Sequence, residues 1–344
     1  MRLNWKMFSR YIQRFAVLLM LIVAGTARAQ GYDPLAVDPS FHAKHIDLSF
    51  NDAARNRNIP LRIYLPTNTT PEPVVLFSHG LGGSREGSRF LGEQWAARGY
   101  VAVFVQHPGS DESIWKGKSP AEAMSSMRKA ASRENFMLRV QDIPAVLNQL
   151  AAWNSTLPLK TDILPNSSVL YKRLDLNKVG MSGHSFGAIT TEAVSGESFP
   201  FGRNFTDPRI KAAIIFSPSS PAGGNPDKAF SSVKIPWMLM TGTKDVAPIG
   251  DQTAESRLKV YPALQGAPKY QVVLFNAEHS VFTDHALPGD HEPRNPNHHR
   301  VILALSTAFW DAYLRGDTNA LAWLNGSGPH SVMETQDQWQ LSAP

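Results

Sequence analysis

Ser185 lies in a short run in which glycine stands two positions before and two positions after it. The run, residues 183–187 (GHSFG), follows an apolar segment with strand character, 178–182, and precedes a helical pattern, AITTEAV. A serine on a sharp strand-to-helix turn exposes its hydroxyl at the carboxyl end of a sheet. Glycines on both sides leave room for the tight backbone. The pattern therefore predicts that Ser185 is a nucleophile.

A serine hydroxyl is a weak nucleophile at neutral pH and needs a base within hydrogen-bond reach. In a strand–turn–helix arrangement the partners follow along the chain in the order serine, acid, histidine. His279 comes just after the last apolar strand pattern, 271–275, and is predicted to be the base. The histidines further on are interpreted as solvated loop residues, with a metal-binding cluster of irregular spacing as the alternative; they are His285, His291, His298 and His299.

An acid is needed to hold the imidazole in the right tautomer and to stabilise the imidazolium. Asp245 follows the strand pattern 237–241, which precedes the histidine strand, and it is predicted to be that acid. Two alternatives remain. Asp251 is interpreted as a helix cap, and Glu278 is the immediate neighbour of His279 in the chain.

A tetrahedral intermediate also needs backbone N–H donors for its oxyanion. One is predicted from Phe186, the residue after the nucleophile. The other is predicted from Leu81, in the glycine-rich run 79–83 (HGLGG) that follows the strand pattern 74–78. The alternative is a glycine-rich turn and nothing more. His79 is interpreted as a structural residue of this loop.

Short apolar strand patterns alternate with longer helical ones along the chain, which predicts an α/β fold: a mostly parallel central sheet of about eight strands with helices on both faces. The first two strands have no helix between them and are expected to pair antiparallel. Pro144 is expected to kink or restart a helix. The predicted strands are 45–50, 61–65, 74–78, 101–106, 178–182, 212–217, 237–241 and 271–275, and the predicted helices are 88–98, 133–153, 186–195, 251–261 and 298–315.

The segment 107–132 is longer than a simple crossover connection requires. It is interpreted either as an ordinary flanking loop or as a pocket-covering insertion that shapes specificity. Three side chains are predicted to contact substrate from their positions after central strands, in this segment or after the histidine: His107, Trp115 and Phe282.

Residues 1–29 combine a basic start, eleven apolar residues (15–25) and an Ala-x-Ala end, which predicts a signal peptide cut after Ala29 and an exported, periplasmic or secreted protein with one domain, 30–344. Eleven apolar residues are too few to span a bilayer, so no stable membrane insertion is expected.

The segment 1–29 holds five of the 34 basic residues and none of the 29 acidic ones, so basic and acidic residues are equal in number in the rest of the chain. A balanced chain without a basic cluster excludes nucleic acid as the expected partner. With no cysteine, stability must come from the core.

Four stretches of the chain resemble bacterial dienelactone-hydrolase-like and platelet-activating-factor-acetylhydrolase-like α/β-hydrolases. They begin at Val74 (VVLFSHGLGGSREGSRFLGEQWAARGYVAVFVQHPGSD), at Val179 (VGMSGHSFGA), at Thr241 (TGTKD) and at Ala277 (AEHSVF). The resemblance implies hydrolysis of carboxylic esters by a Ser/His/Asp triad with neither metal nor organic cofactor.

The sequence departs from these relatives in two respects. Dienelactone hydrolases use cysteine as nucleophile, and this chain has none. Eukaryotic acetylhydrolases take their acid from the strand after the nucleophile helix, which here ends FSPS, without a carboxylate. The function predicted is an exported serine esterase acting on a small-molecule or lipid ester through an acyl-enzyme. Within the same class, the alternative is a lipid-directed or a polyester (cutinase-like) hydrolase. The alternative from another functional class is a non-catalytic binding protein on the same scaffold. A peptidase is the least favoured alternative.

Overall fold

Nine strands form one sheet in a computed structural model that describes residues 31–156, 165–221, 223–287 and 289–342. Their order across the sheet is β1-β2-β4-β3-β5-β8-β9-β10-β11, and β6 and β7 form a separate two-residue hairpin. The bounds are β1 Lys44–Asp52, β2 Arg57–Leu65, β3 Glu72–Ser78, β4 Val101–Val105, β5 Leu174–His184, β6 Ser198–Phe199, β7 Arg203–Asn204, β8 Ile210–Phe216, β9 Trp237–Lys244, β10 Lys269–Glu278 and β11 Gln338–Ser342.

The six strands from β4 to β10 in this order run parallel. At one edge β1 pairs antiparallel with β2, as predicted, and β2 pairs antiparallel with β4. The carboxyl ends of β3, β5, β9 and β10 therefore meet at one edge of the sheet, where parallel α/β sheets place their sites. The predicted Ser185, Asp245 and His279 each follow one of these strands.

All eight predicted strands are present, and the predicted mostly parallel α/β fold is confirmed. The ninth strand, β11, pairs antiparallel with β10 at the other edge of the sheet. Its sequence, QWQLS, is short and half polar, and its side chains alternate between exposed and half-buried. β11 has no continuous apolar run, which is the pattern that predicts a buried strand, and it is therefore not among the predicted strands.

Helices cover both faces of the sheet. On β3, Val74 and Leu76 belong to one core cluster with residues of α3, whereas the alternate residue Phe77 stacks on Phe104, which lies near Trp95 of α1. Alternation along a strand places these two sets on opposite faces. The helices are α1 Arg89–Ala97, α2 Pro120–Ala130, α3 Arg133–Ser155, α4 Phe186–Ser195, α5 Pro226–Phe230, α6 Ala254–Arg257, α7 Val260–Ala263, α8 Pro296–Leu314 and α9 Thr318–Asn325.

The helices differ from the predicted ones in several places, and α5 and α9 are not among the predicted helices. α3 continues through Pro144 to Ser155, so Pro144 does not end it. The helix predicted over 251–261 is two short helices, α6 and α7. α2, inside the 107–132 segment, starts with a capping box between Ser119 and Glu122. Among the described residues, none of the helices is both long and apolar enough to cross a membrane, and the predicted signal peptide lies outside these residues.

The helix that follows Ser185 carries a buried acid whose partner lies just beyond the helix end. Glu192, on α4, accepts a hydrogen bond from the Ser219 N–H at 2.9 Å. Burial, and next the charge of Glu197, raise the pKa of Glu192 well above its ordinary value. Burial also raises the pKa of Glu197 to about 8. Within the described structure the Oε2 atom of Glu197 has no hydrogen-bond partner, and burial favours the protonated form of both acids.

We expect Glu197→Gln to stabilise the protein increasingly as the pH rises from about 5 to 8, relative to wild type. Below the pKa that Glu197 has in the unfolded chain, the side chain is protonated in both the folded and the unfolded protein. Between that pKa and the raised pKa of the folded protein, Glu197 loses its proton on unfolding, and this proton release lowers the free energy of unfolding of wild type as the pH rises. The free energy of unfolding of Glu197→Gln minus that of wild type should grow by up to about 1 kcal/mol per pH unit. Urea denaturation across this range measures it. Glu134→Gln, at an exposed acid in the first turn of α3, should show no such growth, and a flat difference for Glu197→Gln would contradict the expectation.

Candidate active site

Ser185 joins the end of β5 to the start of α4 with an uncommon backbone conformation, φ 59° and ψ −115°. A non-glycine residue keeps a positive φ only where its surroundings enforce it. A Cβ on Gly187 would lie 1.9 Å from the Ser78 carbonyl oxygen, and one on Gly183 would lie 2.2 Å from the Gly187 carbonyl oxygen. Both positions therefore require glycine, and the start of α4 packs directly on the end of β3.

The structure brings Ser185, His279 and Asp245 together. His279 begins a short 3-10 turn, His279–Phe282, directly after β10. Its Nε2 lies 2.9 Å from the Ser185 Oγ, and its Nδ1 lies 2.7 Å from the Asp245 Oδ1. With its proton on Nδ1, a neutral imidazole donates to Asp245 and accepts from the serine hydroxyl through Nε2. This geometry is that of a nucleophile, a base and an orienting acid; their catalytic roles stay a prediction.

Asp245 is fully buried just beyond the end of β9. Its Oδ2 accepts a hydrogen bond from the Thr241 hydroxyl at 2.9 Å. Burial by itself would raise the pKa of Asp245, but the charge of His279, the hydrogen bond from it and the charge of Arg257 together hold that pKa well below its usual range. Asp245 is therefore ionised and acts only as an acceptor.

The two alternative acids have other partners. Asp251 is exposed, and the interpretation of it as a helix cap is wrong, because Thr253 caps α6. The carboxylate of Glu278 accepts hydrogen bonds from the backbone N–H groups of His291 and Glu292. This leaves Asp245 as the acid in hydrogen-bond contact with His279 in the described structure.

The later histidines differ from one another. His285 and His291 are exposed, as expected of solvated loop residues. His298 is buried, however, and its Nε2 donates to the Phe275 carbonyl at 3.0 Å, while the ring of His299 stacks on Phe90 at a centroid distance of 3.8 Å. Over the ranges that the structure describes, no group of three or more His, Asp or Glu side chains is arranged to hold a metal ion.

The glycine-rich loop after β3 passes directly over the serine. A Cβ on Gly80 would lie 3.3 Å from the Ser185 Cβ. Leu81 and Phe186, the predicted oxyanion donors, have N–H groups without an acceptor among the described residues. For Phe186 this is expected, since the first N–H groups of a helix have no partner within the helix. The arrangement offers two free backbone donors on the elements that flank Ser185.

His79 steadies this loop through both of its ring nitrogens. Its Nδ1 donates to the Gly80 carbonyl at 2.6 Å, and its Nε2 accepts the His107 backbone N–H at 3.1 Å. Burial, followed by the charge of Arg139, lowers the pKa of His79 well below its ordinary value. A neutral ring with both nitrogens in use fits a structural residue.

Arg139, on α3, lies beneath the same loop and is fully buried. Its guanidinium donates to the His79 carbonyl and, at 2.9 Å, to the Ser110 hydroxyl, and its carbon lies 4.6 Å from the centre of the Phe186 ring. Burial lowers the pKa of Arg139 to about 9, against the attraction of Asp142, so the group is still charged at neutral pH. One cation therefore contacts both the glycine-rich loop and Phe186, the residue after Ser185.

Two of the three predicted substrate contacts lie inside the protein. His107 is fully buried, with its Nε2 2.9 Å from the Ser78 Oγ and its Nδ1 2.9 Å from the Asp142 Oδ2. Phe282 is also fully buried, its ring 5.1 Å from that of Phe216. Neither side chain is exposed in this structure, and their contact with substrate stays a prediction.

Trp115, the third predicted contact, lies against the glycine-rich loop. Its Nε1 donates to the Gly82 carbonyl at 2.6 Å, and the side chain is 37% exposed. The surrounding segment is attached to the same loop, since the Gly82 N–H donates to Ser110 and the Glu112 N–H donates to Gly83. Trp115 thus remains a candidate substrate contact, and the covering role of 107–132 stays a prediction.

A cavity of about 340 Å³ opens beside the turn that carries His279. Its walls include Glu278, Asp290 and Arg294, but Ser185 is not among them. It is therefore separate from the space in front of the nucleophile.

Sequence reasoning missed two buried arginines. Arg139 interrupts an apolar helical pattern, and a cation on the packed side of a helix could have indicated an internal partner. Arg257 lies in the polar run ESRLK, where nothing in the sequence distinguishes it from a surface arginine. In the structure its guanidinium is buried against Asp245, with Nε 3.0 Å from Oδ1.

Comparisons with known proteins agree with the resemblance predicted from the motifs. Residues 50–216 match the family model described as platelet-activating factor acetylhydrolase, isoform II. A curated protein from the guinea pig, Cavia porcellus, named platelet-activating factor acetylhydrolase, is 24% identical over 177 residues. The resemblance to this group of proteins is confirmed.

The matches cover part of each chain. The aligned region is 46% of this chain and 38% of the guinea pig protein, so the chain spans well under half of that relative's length. The family match includes the glycine-rich loop and Ser185 but ends at residue 216, before Asp245 and His279.

Proposed function

We propose that the chain is a serine hydrolase that cleaves carboxylic esters through an acyl-enzyme. The observation that carries the proposal is the continuous hydrogen-bonded series Ser185–His279–Asp245, with distances of 2.9 and 2.7 Å, next to the glycine-rich loop. The similarity to platelet-activating factor acetylhydrolases supports the same class of reaction.

The first half of the proposed reaction forms the acyl-enzyme. The Ser185 Oγ attacks the ester carbonyl while the His279 Nε2 takes its proton, and Asp245 stabilises the imidazolium. The oxyanion that forms accepts hydrogen bonds from the Leu81 and Phe186 N–H groups, and losing one such donor typically costs about 3–4 kcal/mol of transition-state stabilisation. The intermediate then breaks its bond to the alkoxide oxygen, which leaves as the alcohol with the proton from Nε2.

The second half returns the enzyme to its starting state. His279 takes a proton from water, whose oxygen attacks the acyl carbon. Collapse of this second intermediate breaks the bond to the Ser185 Oγ, releases the carboxylic acid and restores the serine hydroxyl with the proton from Nε2.

For the substrate we propose a lipid or other apolar ester with a short acyl group. The name of the guinea pig relative describes the hydrolytic removal of an acetyl group from platelet-activating factor. Trp115 and Met124 are exposed on the 107–132 segment, and Trp115 lies beside the glycine-rich loop, so apolar surface adjoins the proposed oxyanion site. A polyester substrate has the same requirements for apolar surface and remains the second candidate.

We expect Ser185→Ala to lower kcat for p-nitrophenyl acetate by roughly 10⁵- to 10⁶-fold and to abolish fluorophosphonate labelling. Asp245→Asn should lower kcat by about 10⁴-fold, because the amide favours the wrong imidazole tautomer. Matched controls are Ser155→Ala, an exposed serine at the end of α3, and Asp251→Asn, the exposed alternative acid; both should retain wild-type rates. Wild-type rates in Ser185→Ala would overturn the mechanism.

We expect kcat/KM to fall as the acyl chain of the ester lengthens from acetyl to decanoyl, and to be higher for a phospholipid with a short sn-2 acyl group than for amorphous polyester film. Hydrolysis of the phospholipid below and above its critical micelle concentration measures whether an aggregated substrate is preferred. Preference for decanoyl esters or for the film would contradict the proposed substrate class and favour a lipase-like or polyester hydrolase.

We also propose that the protein is exported, on the basis of the basic and apolar run in residues 1–29. Expressed in a bacterium, the full chain should appear in the periplasm or medium with Gln30 as its first residue, as N-terminal sequencing measures. Leu18→Arg, which breaks the apolar run, should keep the chain uncut in the cytoplasm. Cytoplasmic, uncut wild-type protein would contradict the proposal.

A further inference from the structure

Arg257 makes all of its hydrogen-bond and ion-pair contacts within a buried space directly behind the proposed triad. Its side chain is 1% exposed, although it belongs to a helix of only four residues. The Nε donates to the Asp245 carbonyl at 2.9 Å and lies 3.0 Å from the Asp245 Oδ1. Nη2 lies 3.2 Å from the His279 Nδ1. A buried guanidinium thus contacts both the acid and the base.

The same side chain joins two loops at the carboxyl edge of the sheet. Its Nη1 donates to the carbonyls of Ser217 and Pro218, at 2.8 and 3.0 Å, just after β8. The end of β8 also holds the nucleophile, because the Ser185 N–H donates to the Phe216 carbonyl at 3.1 Å. Arg257 therefore fixes the loop that carries Asp245 relative to the strand that holds Ser185.

The proton positions follow from the donors available. A guanidinium can only donate and a carboxylate can only accept. The proton on the His279 Nδ1 therefore points to Asp245, and the Arg257 Nη2 approaches the ring as a positive charge without a hydrogen bond to it. When Nε2 takes a proton from serine, an imidazolium forms 3.2 Å from that charge.

Other titratable groups near His279 do not cancel this effect. The His184 ring lies 4.6 Å from the His279 ring, and burial, then the charge of His279, lowers the pKa of His184 well below its ordinary value, so it stays neutral. Glu192, which interacts with Arg257, has a raised pKa and is also neutral at pH 7. Asp245 and Arg257 are thus the oppositely charged side chains in contact with the His279 ring among the described residues.

We propose that Arg257 is a positioning residue of the ester hydrolysis: it anchors the Asp245 loop and, by its charge, disfavours the imidazolium form of His279. This inference rests on the proposed function. The negative charge of Asp245 stabilises this imidazolium, and the positive charge of Arg257 opposes it.

The test is the pH profile of kcat/KM for p-nitrophenyl acetate between pH 4 and 9 in wild type, Arg257→Gln and Arg257→Lys. Removing the charge in Arg257→Gln should move the acid limb about one unit to higher pH. Its plateau kcat should fall about tenfold because the loop loses its anchor, with little change in KM, since a residue behind the triad does not touch substrate. Arg257→Lys keeps the charge and should keep the wild-type limb while losing kcat.

Arg89→Gln removes an equal charge from the surface, where Arg89 pairs with Glu93, and should leave the limb unchanged. The pH at the midpoint of the acid limb is found from the relative rates of one preparation at different pH values. It can therefore be measured even if only part of a variant preparation is folded. Arg257→Met, the second neutral variant, gives the same shift if charge is the cause. An unmoved limb in the neutral variants, or an equal shift in Arg257→Lys, would overturn the inference.

Failure of the proposed function has a different result. In that case wild type itself neither hydrolyses the ester nor reacts with a fluorophosphonate at Ser185, and no profile exists to shift. An active wild type whose acid limb does not respond to Arg257→Gln contradicts the role of Arg257 alone.

Discussion

The close approach of α4 to the end of β3 is the constraint on which the rest of the site depends. A single carbon added at Gly187 would lie 1.9 Å from the Ser78 carbonyl oxygen. This contact leaves Ser185 with a positive φ, directly beneath the loop that begins at His79. The nucleophile and the proposed oxyanion donors are therefore parts of one rigid junction, and their relative positions do not depend on a flexible side chain.

Buried charges support this junction from two sides. Arg139 holds the glycine-rich loop through the His79 carbonyl, and Arg257 holds the Asp245 loop through the carbonyls that follow β8. Burying a guanidinium is unfavourable unless its donors are satisfied, and here backbone carbonyls at strand ends accept from both. Because each arginine bonds to backbone, it fixes loops that have no regular secondary structure of their own. The two loops that complete the site are thus attached to the sheet.

The sequence was sufficient to predict the elements but only part of the site. Buried parallel strands are largely apolar, so the six parallel strands could be found from their composition, and residues placed at their carboxyl ends converged as parallel topology requires. The burial of His107 and Phe282 was not predicted, because a position in the sequence near a strand end says where the backbone lies but not which way the side chain points. The edge strand β11 was missed for want of an apolar run.

By itself, the sequence determined the alternation of the central strands with helices, the turn that requires glycine around Ser185, and the strand ends after which Asp245 and His279 stand. These follow from local rules of periodicity and sterics that act over a few residues. Only the tertiary structure decided which of the nearby acids contacts His279 and which arginines are buried. Those choices depend on packing between segments as distant as Ser217, Asp245 and Arg257, whose proximity no local pattern encodes.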